Sequence, residues 1–143
     1  EQIRRVATAW HGARRPRLAP RYLREALLRR VRSSWQQYPD RYETIFDQIG
    51  ALTQSARATL QSGQLQELGE LMNLCHGYLN ALQLSTPKLE DLIHIARSNG
   101  ALGAKLTGGG GGGSMVALCP DNSERVSNAM QAAGYKTLSV ILD

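Results

Sequence analysis

A run of six consecutive glycines, Gly108–Gly113, most restricts what this chain can fold into. Ordering glycine loses more backbone entropy than ordering any other residue, so a folded domain keeps such a run only where it needs close backbone approach or positive φ. Binding a phosphate is one such need, because successive N–H groups without Cβ atoms can turn inward around its oxygens, helped by the nearby cation of Lys105. The run is not a Walker-type loop, in which Lys and then Ser or Thr follow the glycines and open a helix.

The glycine run is also typical of a flexible linker, since Ser114 closes it and Met115 begins a new apolar segment. Only 29 residues follow Ser114, however, and a strand, helix and strand of that total length cannot bury a core alone. They are expected to complete a sheet that begins before the glycines. The phosphate-loop and linker interpretations both stay open at this point.

Hydrophobic spacing predicts helices in the first hundred residues and a mixed tail after them. The predicted helices are Ile3–Trp10, Tyr22–Gln37, Asp40–Ser62, Gln64–Leu84, one opened by Thr86 and Pro87, and one through Val126–Ala133; the predicted strands are Ala104–Thr107, Met115–Cys119 and Tyr135–Leu142. The second and third long helices are expected to pack antiparallel. This order predicts an α+β fold, with helices packed on one face of a small antiparallel sheet.

Composition excludes several classes of protein. With 42% hydrophobic and 20% charged residues, the chain fits one compact domain. Because no apolar run approaches the roughly 20 residues of a membrane span and no apolar stretch follows the basic N-terminus, we expect a cytoplasmic protein without membrane contact. Cys75 and Cys119 have no Cys or His at ligand spacing, so neither a disulfide framework nor a metal site is expected.

The positive charge is concentrated at the N-terminus. Residues 1–41 carry eleven arginines against three acidic residues, whereas residues 42–143 carry six basic and nine acidic residues. Such a leader could bind nucleic acid or an acidic membrane surface. No aromatic stacking pattern or groove-reading motif accompanies the arginines, so a solvated surface is the favoured interpretation and nucleic-acid binding is not expected.

The segment Gly103–Ser114, GAKLTGGGGGGS, closely resembles the third signature motif of the GHMP small-molecule kinases. Upstream, Leu71-Met72-Asn73 with His76 and the stretch Tyr38–Gly50 look like the corresponding parts of mevalonate kinases. The resemblance covers residues 31–143 and implies a ferredoxin-like C-terminal domain of that family. Residues 1–30 do not resemble it: they form an Arg-rich leader in which the strand expected before the first helix is missing.

The sequence departs from the family pattern at four positions. Gly109 and Ser114 stand where the family usually has Ala and often has Cys, and both changes keep a small side chain. Cys75 and Gln83 replace an expected Asn and Gly, which leaves the substrate preference open.

What the resemblance implies is a C-terminal lobe of an enzyme that phosphorylates mevalonate with ATP and Mg²⁺. The catalytic Asp, the magnesium ligands and a serine-rich loop belong to the N-terminal lobe of such kinases, so no catalytic residue, no metal ligand, no tightly bound cofactor and no turnover are expected here. The resemblance assigns to the cleft Thr107, Gly108, Gly109, Gly110, Gly111, Gly112, Gly113 and Ser114. Lys105 is either a charge partner or a solvated strand lysine, and His76 either faces the cleft or is an ordinary helix-surface histidine.

Two other classes of function stay open. One is a non-catalytic ferredoxin-like interaction module that self-associates as a homodimer through the surface that an N-terminal lobe would cover. The other is an arginine-dependent nucleic-acid binder, whose binding would be sensitive to salt and lost on deletion of the leader.

Overall fold

The computed structural model describes residues 4–10, 21–111 and 113–142. Its elements, in chain order, are β1 Arg4–Trp10, α1 Arg21–Gln37, α2 Pro39–Ser62, α3 Leu65–Ala81, α4 Pro87–Ser98, β2 Gly103–Leu106, β3 Ser114–Leu118, α5 Ser123–Ala132 and β4 Lys136–Leu142. Apart from β1, each of these elements lies within a few residues of its predicted position. Gly12, Pro16 and Pro20, which predict a break in regular structure before α1, lie outside the described residues.

The four strands form one sheet in the order β2-β3-β1-β4. All three pairings are antiparallel: β1 pairs with β3 and with β4, and β2 pairs with β3. With α5 connecting β3 to β4, this strand order is that of a ferredoxin-like sheet. The predicted α+β class, with helices against a small antiparallel sheet, is confirmed.

The N-terminal segment β1 corrects the sequence analysis. Residues Arg4–Trp10 form a strand and not the helix predicted over Ile3–Trp10, and they occupy an interior position between β3 and β4. The strand described above as missing before the first helix is therefore present. Its register pairs Val6 with Leu118 on one side and with Val140 on the other. Pairing with two strands that are far away in the sequence overrides the weak local preference of these residues for a helix.

The main core lies between the sheet and the helices α4 and α5. Leu89, Leu92 and Ile93 of α4 contribute fully buried side chains. They pack in one cluster with Met115 of β3 and Met130 of α5. Burial of each such side chain stabilises the fold by about 1.5–3 kcal/mol, so this layer holds the middle of the sheet in place.

The helices α2 and α3 form a second layer beside β2. Gly63 ends α2 in the left-handed conformation, with φ +74°, and a short turn leads into α3 as predicted. Leu65 and Leu68 pack with Leu118 of β3. At the closest approach of α3 to β2, a Cβ on Gly103 would lie 2.3 Å from the carbonyl oxygen of Gly69. This glycine pair brings polar side chains of α3 within reach of the β2 backbone.

Candidate functional site

Side chains of α3 bond to the outer edge of β2. The Asn73 side chain accepts a hydrogen bond from the Ala104 N–H at 3.0 Å through Oδ1 and donates to the Leu102 carbonyl at 3.3 Å through Nδ2. In this way Asn73 replaces a neighbouring strand, and it satisfies two backbone groups that an edge strand would leave open.

Arg97 and Lys105 bond to the remaining carbonyls of this edge. The Arg97 guanidinium donates to the Ala104 carbonyl at 2.8 Å, and the Lys105 ammonium donates to the Leu106 carbonyl at 2.9 Å. Lys105 is half-buried, and its ammonium bonds to a carbonyl of its own strand. The strand that leads into the glycine run is therefore held by hydrogen bonds from α3, from α4 and from its own lysine.

His76 lies in the interior, with 3% of its surface exposed, so the interpretation as a helix-surface histidine is wrong. Its Nδ1 accepts a hydrogen bond from the Leu106 N–H at 3.3 Å, and its Nε2 lies 2.9 Å from Oε1 of Glu90. The Ser85 hydroxyl donates to the same carboxylate oxygen. Burial lowers the pKa of His76 and outweighs the neighbouring Glu90 carboxylate, which raises it.

The glycine run forms the connection of the β2–β3 hairpin. Leu106 pairs with Met115, and the Thr107 N–H donates to the Ser114 carbonyl at 3.1 Å. Because the two flanking strands are paired neighbours in one sheet, the linker interpretation is wrong. Positive φ angles of +76° to +112° recur at four of the glycines: Gly108, Gly110, Gly111 and Gly113. Residues with a side chain rarely adopt this backbone conformation, which explains why the loop consists of glycines.

The middle of the loop docks on the turn that follows α3. The Gly111 N–H donates to the Leu84 carbonyl at 2.9 Å. A Cβ on Gly110 would lie 2.7 Å from that same carbonyl oxygen, and a Cβ on Gly109 would lie 2.9 Å from Cδ of Arg24 in α1. The loop is thus seated between α1 and the α3–α4 turn, and the absence of side chains permits both approaches.

Three N–H groups of the loop are available to a ligand. Within the described part of the chain, the amides of Gly108, Gly109 and Gly110 donate to no protein acceptor. Gly110 is nevertheless buried, so an acceptor supplied by a ligand would satisfy a group that the fold leaves open. The Gly111 amide already donates to the Leu84 carbonyl, so we do not expect it to donate to a ligand as well. Gly112 lies outside the described residues.

A pocket of about 310 Å³ lies beside the start of the loop, between α2, α3 and β2. Its walls are mainly apolar side chains of the two helices, and they include Cys75, at the position where the family pattern has Asn. Lys105 and Gly108 line it at the loop side. An apolar pocket beside a cation and a glycine loop suits a small ligand that carries an anionic group.

The sequence analysis named His76 as a possible cleft residue but assigned no role to the side chains of Asn73, Ser85, Glu90 and Arg24. Asn73 and His76 are three residues apart on α3 and therefore share one helix face, which is a signal that the spacing contained. The sequence carried no signal for Glu90, Ser85 or Arg24, because only the tertiary fold brings them to the loop.

Among the described residues, no three His, Cys, Asp or Glu side chains cluster as a metal site would require. In the same part of the chain, no helix is both long and apolar enough to cross a membrane.

Residues 56–136 match the family described as GHMP kinases C terminal. The match takes in α3, α4, both strands of the hairpin and the glycine loop. The chain belongs to the GHMP kinase family, and its fold is that of the family's C-terminal domain.

Within that family the chain is similar to mevalonate kinases. It is 43% identical to the mevalonate kinase of Pyrococcus horikoshii over 113 residues, which cover 76% of this chain and 34% of that protein. It is 38% identical to the mevalonate kinase of Methanothermobacter thermautotrophicus over 100 residues, which cover 70% and 33%. The crystal structure of L. major mevalonate kinase in complex with R-mevalonate matches with a TM-score of 0.81 at 28% identity, covering 98% of this chain and 43% of that one. The chain spans about a third of the length of these curated relatives.

Proposed function

We propose that this chain acts as the C-terminal lobe of an enzyme that transfers the terminal phosphoryl group of ATP to the primary hydroxyl of mevalonate. Support comes from the similarity to mevalonate kinases and, above all, from the seated glycine loop with its open amides. The proposed domain boundary at residue 31 marks where the resemblance to the family begins. The strand β1 lies before this boundary, in the Arg-rich leader, and belongs to the same sheet as β2, β3 and β4.

The loop residues fit an anionic phosphate. The amides of Gly108, Gly109 and Gly110 provide donors that no acceptor among the described residues uses. The stem of Arg24 lies against Gly109, so its guanidinium adds positive charge beside the loop, and Lys105 adds charge at the loop's start. When bound, ATP supplies the phosphoryl group and Mg²⁺ neutralises its charge. This chain's part is to bind and orient the phosphates.

The catalytic base and magnesium ligands are proposed to come from an N-terminal lobe. In phosphoryl transfer, positioning and charge neutralisation supply nearly all of the catalysis. If the base and the magnesium ligands lie in another lobe, a lobe that only positions phosphates is expected to show no turnover alone.

Nucleotide binding to the loop tests the proposal directly. We expect Mg·ADP to shift the backbone amide signals of Gly108, Gly109 and Gly110 in ¹⁵N spectra of the full chain. The signal of Gly134, a positive-φ glycine at the end of α5, is the internal control and should stay in place. Gly110→Ala should abolish the shifts, since a Cβ there meets the Leu84 carbonyl, whereas Gly50→Ala, where a Cβ meets nothing, should preserve them. Unmoved loop signals at saturating nucleotide would refute the proposal.

Complementation tests the two-lobe part. The chain would be mixed with the portion of the Pyrococcus horikoshii relative that precedes its matched region. ATP-dependent phosphorylation of mevalonate is expected in the mixture and not with either piece alone. Turnover by this chain alone would contradict the proposal that an N-terminal lobe supplies the catalytic base and the magnesium ligands.

The second candidate, a self-associating module, is favoured by one surface. One side of α3 carries an open, mainly apolar groove lined by Glu70, Asn73, Leu74, Gly77, Tyr78 and Ala81, and Leu74 is 57% exposed. We propose that a homodimer covers this groove when no N-terminal lobe is present. Sedimentation should show a concentration-dependent dimer that Leu74→Glu dissociates, with Leu28→Glu on the exposed side of α1 as the control. A monomer at all concentrations would exclude this function.

A further inference from the structure

The hydrogen bonds of His76 define its protonation state. The Leu106 N–H donates to Nδ1, so that nitrogen carries no proton. The neutral ring therefore carries its proton on Nε2, where it donates to the Glu90 carboxylate at 2.9 Å. A doubly protonated ring would bring a second donor against the Leu106 N–H, so the contact with β2 is compatible only with neutral His76.

The His76 contacts reach the glycine loop at two points. The first is Leu106, the last residue of β2. The second runs through Glu90 to the Ser85 hydroxyl, and Ser85 directly follows Leu84, whose carbonyl accepts the Gly111 N–H. One buried ring thus connects the start of the loop with the turn on which its middle is seated.

Burial favours the neutral form of the ring near neutral pH, while the charged groups around it act in both directions. The groups that face it are Glu90 and Arg97 of α4 and Lys105 of β2. Burial has the largest effect and lowers the pKa of His76, Arg97 and Lys105 lower it further, and Glu90 raises it in part. The net result is a pKa below the ordinary histidine value of 6.5.

We propose that His76 is a positioning residue for the glycine loop: the neutral ring holds the loop in its anion-binding conformation, and protonation of Nδ1 releases it. The coupling between His76 and the loop is a property of this chain by itself. Its consequence for ligand binding rests on the proposed function.

The first measurement uses ¹⁵N spectra of the full chain without ligand, between about pH 8 and pH 5. The amides of Leu106 and Gly111 should follow a single titration with its midpoint below 6.5. Inorganic sulfate, which keeps its charge across this range, is then titrated at both ends. Its affinity, read from the Gly108, Gly109 and Gly110 amides, should fall about tenfold on acidification, because the buried Leu106 donor has lost its acceptor.

Variants shift the midpoint in opposite directions if the coupling is right. Glu90→Gln keeps a hydrogen-bond acceptor but removes the charge that raises the pKa of His76, so the midpoint moves to lower pH. Lys105→Gln removes a charge that lowers this pKa, so the midpoint moves to higher pH. His76→Gln should abolish the transition, and His94→Gln, on the exposed side of α4, should leave it unchanged.

Three results decide the inference. Amides of Leu106 and Gly111 that do not titrate with His76 would overturn it, and so would a midpoint that neither Glu90→Gln nor Lys105→Gln moves. Titrating amides with the two opposite shifts support it even if sulfate and nucleotide never perturb the loop. In that last case the proposed function fails while the positioning role stands.

Discussion

The two edges of the sheet differ in how they are covered. At one edge, β2 is bonded by side chains from α3 and α4, and its backbone groups from Leu102 to Leu106 have partners. At the other edge, β4 carries exposed apolar side chains, with Leu138 at 53% and Ile141 at 55%. The covered edge leads into the glycine loop. The contrast indicates that rigid coverage is concentrated where the chain must hold a loop of glycines in one conformation.

The largest loss of stability is expected from Gly103→Ala on the covered edge. A Cβ there would lie 2.3 Å from the Gly69 carbonyl oxygen, and backbone atoms cannot move aside as a flexible side chain can. We expect chemical denaturation to show a loss of about 3 kcal/mol. Gly77→Ala in the same helix layer, where a Cβ meets nothing, should instead gain about 0.5–1 kcal/mol. Equal effects at the two glycines would contradict the close approach of α3 to β2.

Asn73→Leu tests the bonding of the edge itself. The substitution leaves the Ala104 N–H and the Leu102 carbonyl without their side-chain partner, and Ala104 is fully buried. Urea unfolding should show a loss of about 2 kcal/mol. Asn80→Leu, at an exposed position of α3, should change stability by no more than about 0.5 kcal/mol. If Asn73→Leu proves neutral, the edge does not depend on Asn73.

Acid should weaken the covered edge through His76. Its pKa in the folded chain is lower than in the unfolded chain, so the unfolded state binds the proton more readily. The contribution of His76 to the free energy of unfolding is expected to be complete above about pH 6.5. It should be lost as the pH drops toward the pKa of His76 in the folded chain. His76→Gln should remove this part of the pH dependence, while His94→Gln keeps it. Thermal unfolding measured as a function of pH tests both variants. If the unchanged chain and the two variants show the same pH dependence, His76 is not its source.

Gln83→Gly should strengthen the turn on which the loop is seated. Gln83 has φ +60°, a conformation that costs a residue with a side chain about 1–2 kcal/mol and costs glycine little. We expect a gain of about 1 kcal/mol in the free energy of unfolding. Gln54→Gly, in the exposed middle of α2, should lose about 1 kcal/mol. A loss at both positions would mean that the Gln83 side chain contributes more than its backbone strain.

The smallest effect is expected at β4, the edge strand whose apolar residues are exposed. Val140 of β4 is 41% exposed, so Val140→Thr should change stability by no more than about 0.5 kcal/mol. Val126→Thr buries the same hydroxyl in the core, where Val126 is fully buried, and should lose about 2 kcal/mol. Calorimetry of both variants measures the contrast. A large loss at Val140 would show that another surface covers β4.

Much of the fold could be predicted from local patterns, and the errors have physical causes. Thr86 was predicted to begin α4, and its hydroxyl accepts the Leu89 N–H at 3.3 Å, because a cap depends only on neighbouring residues. The sequence left a phosphate-binding loop and a linker open, and the pairing of β2 with β3 shows that the glycine run connects the two strands of a hairpin. For His76 the cleft and the helix surface both stayed open, because its spacing from Asn73 indicates a shared helix face but not which strand that face contacts.

The sequence by itself determined the order of the helices, their caps and ends, and a loop that only glycine can form, since these depend on residues a few positions apart. Only the tertiary structure decided that Arg4–Trp10 is an interior strand, that His76 is buried, and that α1 and the α3–α4 turn meet around the loop. Those features arise from pairing and packing between residues far apart in the chain. Their free energy exists only once the sheet and its helices have assembled.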